Sequence, residues 1–168
     1  MKKYPSILLS SLCVFLLTPH ALAAPTPASP ATAKETQSSI SGTLYTTMDS
    51  KTLESIMKAE GYTSVTIDEE GDIIWKIEGL SAAVIIDEDG ESLLFQITFS
   101  DSKATLQHIN NWNQTKRYSR SYIADDDRIV LELDLSLKGG VGKARIIDFL
   151  KTSRVSLAAW SQEVVLAE

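Results

Sequence analysis

Three times along this chain an acidic cluster interrupts a run of residues that alternate between apolar and polar, and no other pattern restricts the fold as much. Ser64 to Ile67 alternates, Glu69-Glu70-Gly71-Asp72 breaks the run, and Ile73 to Ile77 alternates again. Ala82 to Ile86 and Ser92 to Phe99 flank Asp87-Glu88-Asp89-Gly90, and Tyr118 to Ile123 and Arg128 to Leu137 flank Asp125-Asp126-Asp127. A period of two describes a strand with one buried face, and Gly or Asp between two such runs describes a hairpin turn. Consecutive hairpins predict an antiparallel sheet.

The remaining apolar residues recur at helical spacing. Asp49 is placed to cap a helix carrying Leu53, Ile56 and Met57, which Gly61 stops. Lys103 to Asn113 reads as a second helix, with Leu106, Ile109 and Trp112 or Asn113 on one side. A third is expected from Val141 to Ala167, with Ile146, Ile147, Leu150, Leu157, Trp160 and Val164 as its buried stripe. The predicted order is α-β-β-β-β-α-β-β-α. Helices packed on one face of an antiparallel sheet built of hairpins make an α+β two-layer sandwich.

The start of the chain has the features of an export signal. Lys2 and Lys3 precede an apolar run from Ile7 to Leu17, Pro19 breaks it, and Ala21-Leu22-Ala23 offers small residues for cleavage between Ala23 and Ala24. The run is shorter than the roughly 20 residues that span a bilayer, so no stable membrane insertion is expected after cleavage. A lipoprotein anchored through Cys13 is the alternative, and Leu12 fits it poorly. Residues 1–23 are therefore read as a signal peptide, residues 24–41 as a disordered linker rich in Pro, Ala, Thr and Ser, and residues 42–168 as the folded domain. The expected location is periplasmic or secreted.

Cleavage changes the chemistry on offer. Loss of Lys2 and Lys3 leaves 14 basic against 22 acidic side chains, a net charge of −8. That disfavours nucleic acid and anionic membranes, which need a basic footprint. The single cysteine, Cys13, leaves with the signal, so thiolate metal sites and cysteine nucleophiles go too. His20 also leaves, and His108 has no carboxylate within helical reach, so hydrolase triads cannot be assembled. No residue is assigned a catalytic role, and no cofactor or metal is expected.

Further motifs bear on function. Lys138-Gly139-Gly140-Val141-Gly142-Lys143 resembles a phosphate-cradling loop. However, Ala144 stands where a metal-binding hydroxyl belongs, and Leu137 stands in place of the first glycine. A glycine turn feeding a helix is the simpler account. The acidic clusters do not form a calcium loop. Counting from Gly90, the first and twelfth ligand positions fall on Ile85 and Gln96. Solvated hairpin turns explain the acids. Asn110, Trp112, Asn113, Arg117 and Tyr118 form the densest polar-aromatic group and are the candidate partner-binding residues, with helix packing and capping as the alternative account. Asn113-Gln114-Thr115 spells a glycosylation sequon that a bacterial-type export signal leaves without a use.

The order of these motifs resembles the YbjN family of small bacterial proteins. Asn110-x-Trp112-Asn113 matches the end of a family helix, Lys116-Arg117-Tyr118 a basic-aromatic turn, and Arg120-x-Tyr122 a strand start. Leu131-Glu132-x-Asp134-Leu135 matches the next strand, Gly139-Gly140-Val141 the lead into the final helix, and Ser156-Leu157 with Trp160 its ending. Gly61-Tyr62 and Glu70-Gly71-Asp72 fit upstream, so the likeness spans about Asp49 to Trp160. The resemblance implies a fold like that of type III secretion chaperones and a role as a sensory transduction regulator. The expectation is a non-enzymatic binding or regulatory module outside the cytoplasm that recognises a protein or peptide. Homodimerisation through Val164, Val165 and Leu166 is a further expectation. A phosphate or nucleotide site at Lys138 to Lys143, or an envelope hydrolase, is the alternative.

Overall fold

The computed structural model describes residues 42–167, so the expected signal peptide, the expected cleavage site between Ala23 and Ala24 and the expected linker lie outside the described residues. A short strand β1 (Leu44–Tyr45) leads into α1 (Ser50–Ala59). The Asp49 carboxylate accepts from the Thr52 amide at 3.0 Å, as its capping position predicts. Leu53, Ile56 and Met57 are buried, and Gly61 ends the helix with φ +90°. The Ser50 hydroxyl donates to the Gly71 carbonyl and ties the helix start to the first acidic turn.

Four strands follow: β2 (Val65–Ile67), β3 (Ile73–Ile77), β4 (Leu80–Ile86) and β5 (Ser92–Phe99). Each acidic turn is organised by one of its own aspartates. Asp68 accepts from the Glu70 and Asp72 amides, and Asp87 from the Ser92 amide and hydroxyl. Asp126 pairs with Arg128 at 2.7 Å. The acids thus make the turns that the alternation predicts. One hairpin was not anticipated. Glu78 and Gly79 both take positive φ, the geometry of a two-residue type I′ loop, and join β3 directly to β4.

Helix α2 (Leu106–Thr115) starts three residues later than expected. Thr105 caps it, accepting from the His108 amide, while the His108 ring accepts from the Thr105 amide. Histidine here completes a capping box. The shift corrects the predicted stripe: Ile109 and Trp112 are buried, and Leu106 is 73% exposed. Strand β6 (Arg120–Ile123) also starts late, at Arg120 instead of Tyr118. It pairs with β7 (Ile129–Ser136), which inserts between β5 and β6 to give a six-stranded antiparallel sheet of order β2-β3-β4-β5-β7-β6.

Val141 does not begin the last helix. Val141–Gly142 forms β8, antiparallel to β1, and α3 runs over Lys143–Trp160 before widening into a π-helical turn, Ser161–Val165. Ile146, Phe149, Leu150, Leu157 and Trp160 are buried, whereas the predicted Ile147 is half-buried. Val164 is fully buried in the chain's own core, which removes it from the expected dimer surface and leaves Leu166 exposed.

All three helices bury their apolar stripes among the same core residues. Leu93, Phe95, Ile97, Leu131, Leu133 and Leu135 form the sheet's side of that core, with Trp75 edge-on to Phe95 at 6.2 Å. The fold is the predicted two-layer α+β sandwich. Its second sheet face carries Ile74, Ala83, Ile85, Leu94, Gln96 and Thr98, all half-buried, and it is the face on which a site is to be sought.

Candidate functional site

Strand alternation puts Glu132 on the second face, away from the helices, yet only 3% of it is exposed. It is the one buried ionisable side chain among the described residues. Register explains why. Arg120 and Gln96 are its direct cross-strand neighbours on β6 and β5. Arg120 donates through Nε to one carboxylate oxygen at 2.6 Å, and its Nη2 forms an ion pair with the same oxygen at 2.6 Å. The Gln96 amide and the Tyr122 hydroxyl donate to the other, both at 2.7 Å. Burial pushes the Glu132 carboxyl up most strongly, but the bonds from Tyr122, Gln96 and Arg120 together outweigh it and hold the group below the usual carboxylate range. The same contact pushes the Tyr122 phenol up, because the proton it donates to Glu132 is harder to lose.

Three hydrogen bonds and the Arg120 ion pair engage both carboxylate oxygens, so Glu132 is committed to its neighbours and not poised to take a substrate proton. What the cluster supplies is a fixed arrangement: a guanidinium held by its partner, a phenol beside it, and aliphatic side chains extending across β5, β4 and β3. Arg and Tyr at the β6 margin of a half-apolar surface are residue types on which protein recognition concentrates.

The glycine string is built for chain packing. Gly139 and Gly140 take φ +83° and +88°, and a Cβ on Gly140 would lie 3.3 Å from Leu44 Cβ. The turn lets β1 dock on β8. Lys138 pairs with Glu91 at 2.9 Å and Lys143 with Glu60 at 3.8 Å, so both lysines of the string face carboxylates. No cluster of metal-ligating side chains occurs among the described residues, and none of their helices is long and apolar enough to cross a membrane.

With this geometry in place, comparison with known proteins identifies the family. The family described as "Putative bacterial sensory transduction regulator", YbjN, matches residues 49–164. The chain belongs to the YbjN family. Among solved structures it is similar to the crystal structure of E. coli YbjN, described as "a putative transcription regulator", with a TM-score of 0.56 at 15% identity over 74% of this chain and 94% of that one. It is also similar to the HopA1-SchA chaperone-effector complex, with a TM-score of 0.51 at 13% identity over 68% of this chain and 91% of that one. The Yersinia pestis type III secretion chaperone SycH, in complex with a stable fragment of YscM2, matches at a TM-score of 0.48 and 13% identity, over 65% and 97% of the two chains. No curated protein matches the chain at the sequence level. At these identities the structural likeness is one of fold, shared with E. coli YbjN and with the HopA1-SchA chaperone-effector complex.

The YbjN motif residues divide by location. Trp112 is buried and donates through Nε1 to the Ser119 hydroxyl at 3.2 Å. Asn113 donates to the Ser121 carbonyl and accepts from the Ser121 amide, both at 2.9 Å. One side-chain amide thereby takes the place of a neighbouring strand at the outer edge of β6, a device that protects an edge from further pairing. Asn110, Arg117 and Tyr118 are exposed, Tyr118 by 74%. Of the candidate partner-binding group, two members thus hold α2 to the sheet and three reach solvent. Lys116 lies over the Trp112 ring at 5.2 Å and pairs with Glu163, joining α2 to the π-helical turn. Asn113→Ala is expected to lower stability by about 1–3 kcal/mol, through two lost hydrogen bonds at a half-buried strand. Hydrogen exchange at the Ser121 amide should accelerate more than at its neighbours.

Arg120, Tyr122 and Glu132 belong to the motifs that carry the family resemblance, but no motif in the sequence marks them, or Gln96, as a site. The signal was present in Glu132 itself, an acid within the alternating strand 129–136, with Arg120-x-Tyr122 on the preceding strand able to face it. Only the register brings them together.

Proposed function

We propose that this YbjN domain is a non-enzymatic recognition module that acts outside the cytoplasm and binds a protein or peptide partner across the open face of its sheet. The observation that carries the reading is the Glu132 cluster: the one buried charge among the described residues stabilises a surface and not a reaction centre. The regulatory description of the family supports it. So does the chaperone-effector complex that shares the fold, in which the neighbour is joined to another protein. The export signal read from residues 1–23 supports the location.

Photo-crosslinking in the native cell tests both parts. A photoreactive side chain at Leu94 or Lys76, on the open face, is expected to give a discrete crosslinked species, and one at Lys51 on the exposed side of α1 is not. Equal crosslinking from all three positions, or from none, would overturn the assignment. Fractionation is expected to recover a chain that begins at Ala24 outside the cytoplasm. Full-length chain confined to the cytoplasm would sink the location.

A further inference from the structure

Strand β7 is longer than the partner on its outer side. It runs to Ser136, while its pairing with β6 stops at Glu132 opposite Arg120. Extending that register by two residues would place Tyr118 opposite Asp134, and sequence alternation predicts a strand beginning at Tyr118. The structure instead puts Tyr118 at φ +65°, a region that bulky side chains rarely adopt. That backbone turns the chain towards α2 and away from β7. The Asp134 edge is left open, and no described residue takes its place.

Which way the Asp134 backbone points follows from alternation. Both backbone groups of Ser121 face outward to Asn113, so Arg120 and Glu132 form a hydrogen-bonded pair. Asp134, two residues beyond Glu132, therefore directs its N–H and C=O to the same open side. A groove of about 730 Å³ lies there, walled by Tyr118 and Arg120, by Asp134, and by Arg145, Asp148 and Phe149 of α3. A short extended segment fills such a space.

We infer that this notch accepts an extended peptide as an added strand on β7, and that Tyr118 holds it open. The inference rests on the peptide-recognition reading above and gives it a second contact beside the open face. The walls define the sequence the peptide needs. Residues facing α3 would lie against Phe149 and Thr152, which calls for an apolar side chain. The residue opposite Asp134 would face the open side. Arg120 is paired with Glu132, and Arg145 with Asp148 at 2.6 Å, whereas Asp134 forms no ion pair among the described residues. Charge complementarity therefore calls for a basic residue at that position. The ligand is an extended segment alternating basic and apolar residues.

The test uses the intact mature chain and a fluorescein-labelled synthetic peptide of alternating arginine and valine, with two relatives: one N-methylated at its central amides, and one with glutamate in place of arginine. Anisotropy is expected to show binding of the first, with the N-methylated peptide about tenfold weaker because a methylated amide cannot join the ladder. Asp134→Lys, a change at an exposed side chain, is expected to weaken the arginine peptide about tenfold and to favour the glutamate peptide. Amide exchange at Asp134 should slow on binding. An N-methylated peptide that binds as well as the parent, or unchanged exchange at Asp134, would falsify strand addition. Persistent crosslinking at Leu94 alongside a silent notch would leave the open-face reading standing and remove only this inference.

Discussion

Trp160→Ala is expected to cost about 3–5 kcal/mol, the range for deleting a large buried aromatic. The side chain is fully buried, its ring lies 5.6 Å from Phe99, and its Nε1 donates to the Ser121 hydroxyl at 2.9 Å. Ser121 in turn donates to the Val130 carbonyl at 2.8 Å, so one tryptophan fastens the end of α3 to the edge strand β6 and its neighbour β7. Against a total stability of about 5–15 kcal/mol, the loss should lower the melting temperature by roughly 10–20 °C. Trp160→Phe keeps most of the apolar volume and loses the N–H, so it should cost about 1–2 kcal/mol. Urea unfolding of the two variants checks the account. Equal losses would show that packing around the indole is not what stabilises this junction.

Glu132→Ala is expected to cost about 2–3 kcal/mol. It leaves the Gln96 amide and the Tyr122 hydroxyl without an acceptor and Arg120 without its partner. The value sits below that of a fully buried ion pair because the Arg120 side chain is 69% exposed and can turn to water. Glu132→Gln isolates the charge, and its effect should depend on pH. The folded carboxyl titrates below its unfolded value of about 4.3, so its contribution is complete above that value. It is lost as pH falls through the lower, folded pKa. The wild-type advantage over Glu132→Gln should therefore be constant near neutrality and shrink on acidification below about pH 4. Asp49, Asp87 and Asp126 are also held below the usual range by hydrogen bonds, but they occur in both chains and cancel in the difference. A gap unchanged from neutral pH to pH 3 would show that the ionised form is not what the cluster holds.

Much of the fold was legible because its determinants are local. Asp68, Asp87 and Asp126 each bind backbone within a few residues, so the turns they make appear directly in the sequence. Apolar alternation assigned β3, β5 and β7 to their core faces without knowledge of their neighbours. The errors have local causes as well. The α2 start moved because His108 acts as a capping partner, a role usually taken by Glu or Gln. The spacing of Leu106 to Ile109 fits a helical stripe, yet Leu106 begins the first turn of α2 and is exposed. Tyr118 looks like a strand residue in every respect except its backbone, and a tyrosine, unlike glycine, asparagine or aspartate, does not announce a positive φ.

The candidate site was barely legible, and the reason is geometric. Arg120, Glu132 and Gln96 lie 12 and 36 residues apart and become neighbours only because β7 inserts between β5 and β6. The class of fold, the hairpins and the family follow from the order of residues, since each of these depends on periodicity and on contacts between near neighbours. Tertiary structure alone decided which face of the sheet stays open and which acid is buried there. It also decided that Asn113 serves as an edge cap and that β7 keeps a free edge. Those features depend on strand order and register, which bring together residues whose separation along the chain carries no signal of their meeting.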